Sequence, residues 1–200
     1  MKRLRVSTRD DEIRKRRTIV RAPAIQNTKR ERADGAKLTL FLASIAERHP
    51  CKDDILFLCI GSDRSTGDAF GPLVGNLLQE QGWPHVTGTL KRPCDAQQLL
   101  TTLSSLPEDK VVIAIDACLG KPESVGAYLV ARGPLIPAQA LGTTMPEAGN
   151  YSIAGVVNVY GPKPYTTLQT TSLFTVMQMA KSLAEAIHTA WPQSNFESRG

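Results

Sequence analysis

Two runs of consecutive apolar residues constrain the fold of this chain more than any other feature. Residues Ile55–Ile60 and Val111–Ile115 contain only apolar side chains; Gly61 stops the first run, and the second ends in Asp116. Strands that are buried on both faces have this composition, and they occur mainly in parallel sheets that helices cover. The two runs therefore predict two buried strands of one parallel sheet.

Around these runs, apolar residues recur at steps of three and four, the spacing of a helix with one buried face. Such stripes lie at 38–45, 73–78, 96–103 and 173–187, and further β-rich runs lie at 86–90, 126–131 and 151–160. Alternation of apolar strands with amphipathic helices predicts an α/β fold. We expect a three-layer sandwich in which helices cover both faces of a mostly parallel, twisted sheet.

The basic charge of the chain is concentrated at its N-terminus. Residues 1–37 hold 13 Lys or Arg against 5 Asp or Glu, whereas the remainder is mildly acidic. Because the first 35 residues also lack a hydrophobic period, we expect a flexible basic arm over 1–35, one domain over 36–190 and a frayed tail over 191–200. The arm is interpreted either as a solvated tail or as a contact for nucleic acid, whose phosphates attract clustered Lys and Arg.

Membrane and export signals are missing from the sequence. No stretch approaches eighteen consecutive apolar residues, and no apolar segment follows the basic N-terminus. The four cysteines form no C-x-x-C pair, which favours reduced thiols. We therefore expect a cytoplasmic protein without a membrane partner.

Two polar segments follow the predicted buried strands and carry the candidate catalytic residues. The segment Gly61–Pro72 contains Asp68, and Asp116 comes directly after the second apolar run. Ligands of open α/β sheets bind beyond the carboxyl ends of the strands, so we expect both side chains to face one crevice. Two such carboxylates do not both ionise cheaply, so one would act as a general base on water while the other donates a proton.

Other interpretations of these residues stay open. Asp68 is also suited to cap a helix, and Asp116 to accept hydrogen bonds from loop amides. Nucleotide binding is disfavoured, because the glycines match neither a P-loop nor the G-x-G-x-x-G spacing. Cys118 is a candidate nucleophile, but no histidine is placed beside it in sequence, and a buried structural thiol is the commoner role.

The segment Cys59–Gly75, with the sequence CIGSDRSTGDAFGPLVG, resembles the signature of the YyaC-type sporulation proteins. These proteins are relatives of the germination protease of endospore-forming bacteria. Segments 112–120, 151–158 and 169–173 extend the resemblance over most of residues 51–190. It departs from the germination protease pattern at Gly67, where that protease has Pro, and at Phe70, where Leu is usual.

The resemblance implies an aspartic-type endopeptidase of sporulation or germination, with Asp68 and Asp116 as its catalytic pair. It also implies a phosphorylase/hydrolase-like fold, shared with the hydrogenase-maturation endopeptidases. Those enzymes hold a metal with an acidic pair and a His, but no His closely follows the second run here, so we expect neither metal nor cofactor. A catalytically inactive, peptidase-fold binding protein of sporulation is the alternative.

The resemblance further implies a location in the forespore or spore core, and a protein or peptide substrate such as the small acid-soluble spore proteins. Six residues are candidates for substrate binding: Ser62, Asp63, Arg64, Ser65, Thr66 and Asn150. The hydroxyl groups could act as nucleophile or donate hydrogen bonds to a substrate, Arg64 could bind a substrate carboxylate, and Asn150 is chosen by position alone. Turn formation and surface ion pairs are the alternative roles of the loop residues.

Overall fold

The computed structural model describes residues 29–137 and 145–192, which form one mixed sheet with helices on both faces. The strands are β1 (Glu31–Ala33), β2 (Ile55–Cys59), β3 (Val86–Thr87), β4 (Val111–Gly120), β5 (Tyr128–Ala131) and β6 (Tyr151–Val159). The helices are α1 (Gly35–Ala46), α2 (Phe70–Glu80), α3 (Ala96–Ser105), α4 (Pro164–Gln169) and α5 (Leu173–Ala190).

The strand order is β1-β5-β6-β4-β2-β3. Strands β3, β2, β4 and β6 run parallel, whereas β5 runs antiparallel to β6 and β1 antiparallel to β5. The two apolar runs of the sequence are β2 and the first half of β4, which pair side by side in parallel. The prediction of an α/β fold with a mostly parallel sheet is therefore confirmed.

Two apolar layers hold the helices against the sheet. Phe57 and Ile113 point into a layer that α1, α2 and α5 cover, whereas Leu58 and Ala114 point into a second layer that contains Leu99 of α3. Alternate residues of a strand face opposite sides, so each apolar run supplies both layers. This explains why the runs are apolar without interruption.

Ordered structure extends beyond the predicted domain limits at both ends. Residues Glu31–Ala33, within the predicted arm, form edge strand β1, and Ala33 is buried. At the other end Trp191 is buried, and its indole N–H donates to the carbonyl of His49 at 2.8 Å. A three-residue strand is too short to show a hydrophobic period, so sequence reasoning missed it. The predicted flexibility of the remaining arm and tail concerns residues 1–28 and 193–200, outside the described residues.

Two smaller differences concern β3 and α4. The strand predicted over 86–90 spans only Val86–Thr87, because Gly88 adopts a positive φ of 92° and turns the chain. Helix α4 has six residues, too few for a recognisable helical stripe.

In the part of the chain that the structure describes, no helix is long and apolar enough to cross a membrane.

Candidate functional site

A crevice opens between the carboxyl ends of β2 and β4. From β2 the chain runs to β3 on one side of β2, and then crosses to β4 on the other side of β2. The winding of the sheet therefore reverses between β2 and β4. Ligands of α/β sheets bind at such reversal points. A cavity of about 560 Å³ lies there, and both Asp68 and Asp116 line it.

A tight loop after β2 presents Asp68 to the cavity. The backbone N–H of Asp68 donates to the carbonyl of Ser65 at 2.7 Å, and its carbonyl accepts from the N–H of Ser62 at 3.2 Å. Gly61 has a φ of 136°, and a Cβ at this position would overlap the Asp68 carbonyl oxygen. Only glycine therefore lets the loop close over its own start.

Helix α4 holds the same loop from outside. The N–H of Gly67 donates to the carbonyl of Leu168 at 2.8 Å. The helix is in turn fixed to β6, because the Asn158 side-chain amide donates to the carbonyl of Thr167 in α4 at 3.4 Å and to the hydroxyl of Thr171, just after the helix, at 3.1 Å. The residue preceding Asp68 is thus connected through α4 to the central sheet.

The environment of Asp68 favours its protonated form. Burial raises the pKa of the Asp68 carboxyl above its ordinary value, and the nearby Ser65 hydroxyl acts more weakly in the opposite direction. The buried Ser65 Oγ forms no hydrogen bond with any group of the described residues, which agrees with its weak effect on the pKa of Asp68. The N-cap of α2 is Ala69, without a side-chain cap, so helix capping does not explain Asp68.

Asp116 lies inside β4, not at its end as the sequence predicts. The strand continues to Gly120, and Asp116 stands beside Ala154 of β6. The apolar run stops at Ile115 because the pairing with β2 ends at this residue, where the cavity begins. The pairing of β4 with β6 continues beyond it. The Asp116 Oδ1 accepts a hydrogen bond from the Ala117 N–H at 2.8 Å, which stabilises the ionised carboxylate.

Cys118 also lines the cavity, but its thiol is poorly suited to nucleophilic attack. Burial raises the pKa of Cys118 to about 12, with the Asp116 charge adding to the effect and the Arg30 charge opposing it. Such a thiol keeps its proton at neutral pH, and the thiolate is the reactive form.

Within 29–137 and 145–192, no group of three or more His, Cys, Asp or Glu side chains is arranged to hold a metal ion.

The loop candidates for substrate binding divide into two groups. Ser62, Arg64 and Ser65 line the cavity together with Asp68. Asp63 and Thr66 are not among the lining residues, although they belong to the same loop. In a loop this tight, successive side chains point in different directions, and sequence position does not show which of them face inward.

Asn150 lies at the amino end of the parallel strands, away from the cavity. Its Oδ1 accepts from the Val112 N–H at 2.8 Å, and its own N–H donates to the Val112 carbonyl at 2.7 Å. These bonds join the start of β6 to β4. The placement of Asn150 in the substrate crevice is corrected accordingly, because the residue precedes its strand, whereas the cavity lies beyond the carboxyl ends.

Several lining residues escaped the sequence reasoning, among them Arg30, Asp95, Tyr160 and Tyr165. Arg30 belongs to the predicted arm, and the pairing of β1 with β5 brings it here. The Oδ1 of Asp95 caps α3 by accepting two backbone hydrogen bonds. An Asp before an apolar helical stripe is a recognisable cap signal, whereas nothing in the sequence marks the other three.

Comparison with known proteins shows similarity to one family model, to a bacterial protein and to a solved structure. A family model described as "Protein of unknown function (DUF1256)" matches residues 27–186. The "Uncharacterized protein YyaC" of Bacillus subtilis (strain 168) is 40% identical over 170 residues, which cover 80% of this chain and 83% of that protein. The crystal structure of the NiFe hydrogenase maturation protease HycI from Thermococcus kodakarensis KOD1 matches with a TM-score of 0.39 and 18% identity, over 68% of this chain and 97% of that chain.

Proposed function

This chain belongs to the DUF1256 family, and we propose that it is an aspartic-type endopeptidase in which Asp68 and Asp116 activate water for peptide hydrolysis. One observation carries the proposal. Two carboxyl groups from separate segments line the same cavity, and burial raises the pKa of one of them. A buried carboxyl group that holds its proton, in one cavity with a second carboxyl group, is suited to acid–base catalysis.

The surroundings of the two residues support different roles. Asp116 accepts the Ala117 N–H, so it is suited to stay ionised and to remove a proton from the attacking water. Asp68 holds its proton more tightly because it is buried, so it is suited to protonate the leaving amine. The pair then returns to its starting state when the proton taken from water passes from Asp116 to Asp68.

We place this activity in sporulation or germination, in the cytoplasm of the forespore or spore core, with small acid-soluble spore proteins as candidate substrates. The resemblance of Cys59–Gly75 and Val112–Gly120 to the YyaC-type sporulation proteins, which are relatives of the germination protease, supports this setting. The mechanism needs the two carboxyl groups and water.

Incubation of the purified protein with small acid-soluble spore proteins tests the proposal. Wild type should produce discrete fragments, and Asp116→Asn and Asp68→Asn should produce none over the same time. Asp53→Asn is the matched control, because this exposed carboxylate lies in the turn before β2, at the opposite end of the strand. If folded wild-type protein cleaves nothing, the peptidase is excluded for these substrates, and the inactive binding protein is favoured.

A further inference from the structure

Strand β4 extends past the end of its neighbour β2. The pairing with β2 covers residues 111–115 only, whereas the pairing with β6 continues to Gly120. The Ile60 N–H still donates to the Ile115 carbonyl at 2.7 Å. Beyond this bond, no strand of the described segments lies beside β4 on the β2 side. Residues 116–120 therefore have one paired edge and one open edge.

Alternation along the strand identifies the backbone groups on the open edge. The Ile115 carbonyl faces β2, whereas the Gly120 carbonyl faces the other way and accepts from the Tyr160 N–H at 2.7 Å. In a parallel ladder, the N–H and the carbonyl of one residue point to the same neighbour, and successive residues alternate. Ala117 and Leu119 therefore turn their N–H and carbonyl groups toward the open edge.

The open edge forms a wall of the cavity. Ala117, Cys118 and Leu119 all line it, directly after Asp116. The Ala117 N–H already donates a hydrogen bond to the Asp116 carboxylate. The Ala117 carbonyl and both backbone groups of Leu119 are left without a ladder partner on this side in the described residues. Backbone donors and acceptors in a partly enclosed site favour a ligand that carries matching groups.

We propose that a peptide segment binds in extended conformation as an added strand on the open edge of β4, at Ala117–Leu119. The docking itself does not depend on the proposed peptidase function; only the identification of the bound peptide as the substrate rests on it. Strand addition draws its affinity from main-chain hydrogen bonds. Since a strand advances about 3.3 Å per residue, the edge engages about three peptide residues next to Asp116. Recognition then depends on an extended backbone more than on any single side chain.

The walls beside the edge select the peptide's side chains. Leu168 of α4 borders the cavity and belongs to the layer that α1, α2 and α5 cover, whereas Ala96 of α3 borders it and packs on the second layer. Side chains of an added strand alternate between these walls. Leu168 therefore favours an apolar peptide residue on its side, whereas the side of Ala96 also presents the polar Asp95 and Gln97.

Nuclear magnetic resonance of Asp116→Asn protein, labelled with ¹⁵N-leucine, tests the docking without loss of the probe by cleavage. The probe is a mixture of random-sequence heptapeptides, compared with the same mixture N-methylated at every backbone nitrogen. The Leu119 amide signal should shift with the unmodified peptides. Binding should weaken at least about tenfold with the methylated ones, because their donors are gone. An unmoved Leu119 signal, or equal binding of the two mixtures, overturns the proposal.

A pair of variants tests the same edge independently. Leu119→Pro deletes the N–H that faces the cavity, and Leu119→Ala shortens the same side chain but keeps the N–H. Proline is tolerated where a strand N–H lacks a ladder partner, so both should fold and only Leu119→Pro should bind the peptides at least about tenfold more weakly. Failure of Leu119→Pro to fold while Leu119→Ala folds would show that this N–H is used within the protein, and would overturn the assignment.

The docking site and the peptidase fail in different experiments. Peptide binding at Leu119 without hydrolysis by wild type overturns the peptidase and leaves the docking site in place. Hydrolysis of small acid-soluble spore proteins at the full rate by Leu119→Pro overturns the docking site and leaves the peptidase.

Discussion

The N–H of Gly67 donates a hydrogen bond to the carbonyl of Leu168 at 2.8 Å, and the two residues touch closely. A Cβ at Gly67 would lie 2.7 Å from the Leu168 Cδ2 and 3.0 Å from its carbonyl oxygen. This contact joins the loop after β2 to α4 and fixes where Asp68 enters the cavity. A proline at this position would lack the N–H that forms the bond.

Gly67→Ala should push the loop away from α4. We expect a loss of about 1–3 kcal/mol in the free energy of unfolding, since the new methyl group meets backbone as well as side-chain atoms. Cleavage should slow by up to about a hundredfold, because Asp68 moves with the loop. Urea unfolding and the fragment assay measure both effects. Gly35→Ala is the control, because no atom lies within 4 Å of its Cβ position. Equal stability and equal cleavage rates of the two variants would contradict the role of the contact between Gly67 and Leu168.

Asp68→Asn should stabilise the protein in a pH-dependent way. The pKa of Asp68 is raised by burial from the ordinary value of 3.8, so the native state binds its proton more tightly than the unfolded state. Between the two pKa values the free energy of unfolding of wild type falls as pH rises, and Asn removes this loss. In urea unfolding, the advantage of Asp68→Asn should grow from about pH 4 upward until it levels off above the native pKa. A difference that does not change with pH would contradict the assigned burial effect.

Cys118 should react slowly with alkylating reagents. Burial is the main cause that raises its pKa to about 12, whereas Cys51 is exposed. Brief treatment with iodoacetamide near neutral pH, followed by mass spectrometry, should modify Cys51 first and leave Cys118 intact. Cys118→Ala should also retain peptidase activity. Modification of Cys118 as fast as Cys51, with loss of activity in Cys118→Ala, would restore the nucleophile hypothesis.

The central sheet could be predicted from the sequence because burial on both faces leaves a strong local signal. The runs Ile55–Ile60 and Val111–Ile115 became neighbouring parallel strands as expected. Edge strand β1 could not be found, since three residues with two of them exposed carry no pattern. The extension of β4 past Ile115 was also hidden, because it depends on β6, a partner distant in sequence.

The candidate site could be predicted in part. The rule that ligands bind beyond the carboxyl ends of parallel strands selected Asp68 and Asp116, and both line the cavity. Asn150 was selected only by its position in a loop, and the rule itself argues against it, because a residue before a parallel strand lies at the amino end of the sheet. Arg30 was hidden for another reason: it is brought to the cavity by the pairing of β1, which is invisible in the sequence.

Deletion of residues 1–28 tests the basic arm for nucleic-acid binding. This deletion removes nine Lys or Arg and three Asp or Glu, but it leaves Arg30 and β1 in place, unlike a deletion to residue 35. If the arm contacts phosphates, full-length protein should bind duplex DNA at low salt, and its affinity should fall steeply as salt increases. The deleted protein should not bind. Equal binding of both proteins, or none at low salt, would leave the solvated tail as the interpretation.

The last prediction concerns the two aspartates as one unit. Catalysis requires Asp116 ionised and Asp68 protonated, so kcat/KM should follow a bell-shaped pH profile whose upper limb reflects the raised pKa of Asp68. Asp68→Asn and Asp116→Asn should each lower kcat/KM by about two or more orders of magnitude, and the double variant should be little worse than either. Circular dichroism should show that all three variants stay folded. Multiplicative losses in the double variant would mean that the two residues act independently, and unfolding of both single variants would assign them a structural role instead.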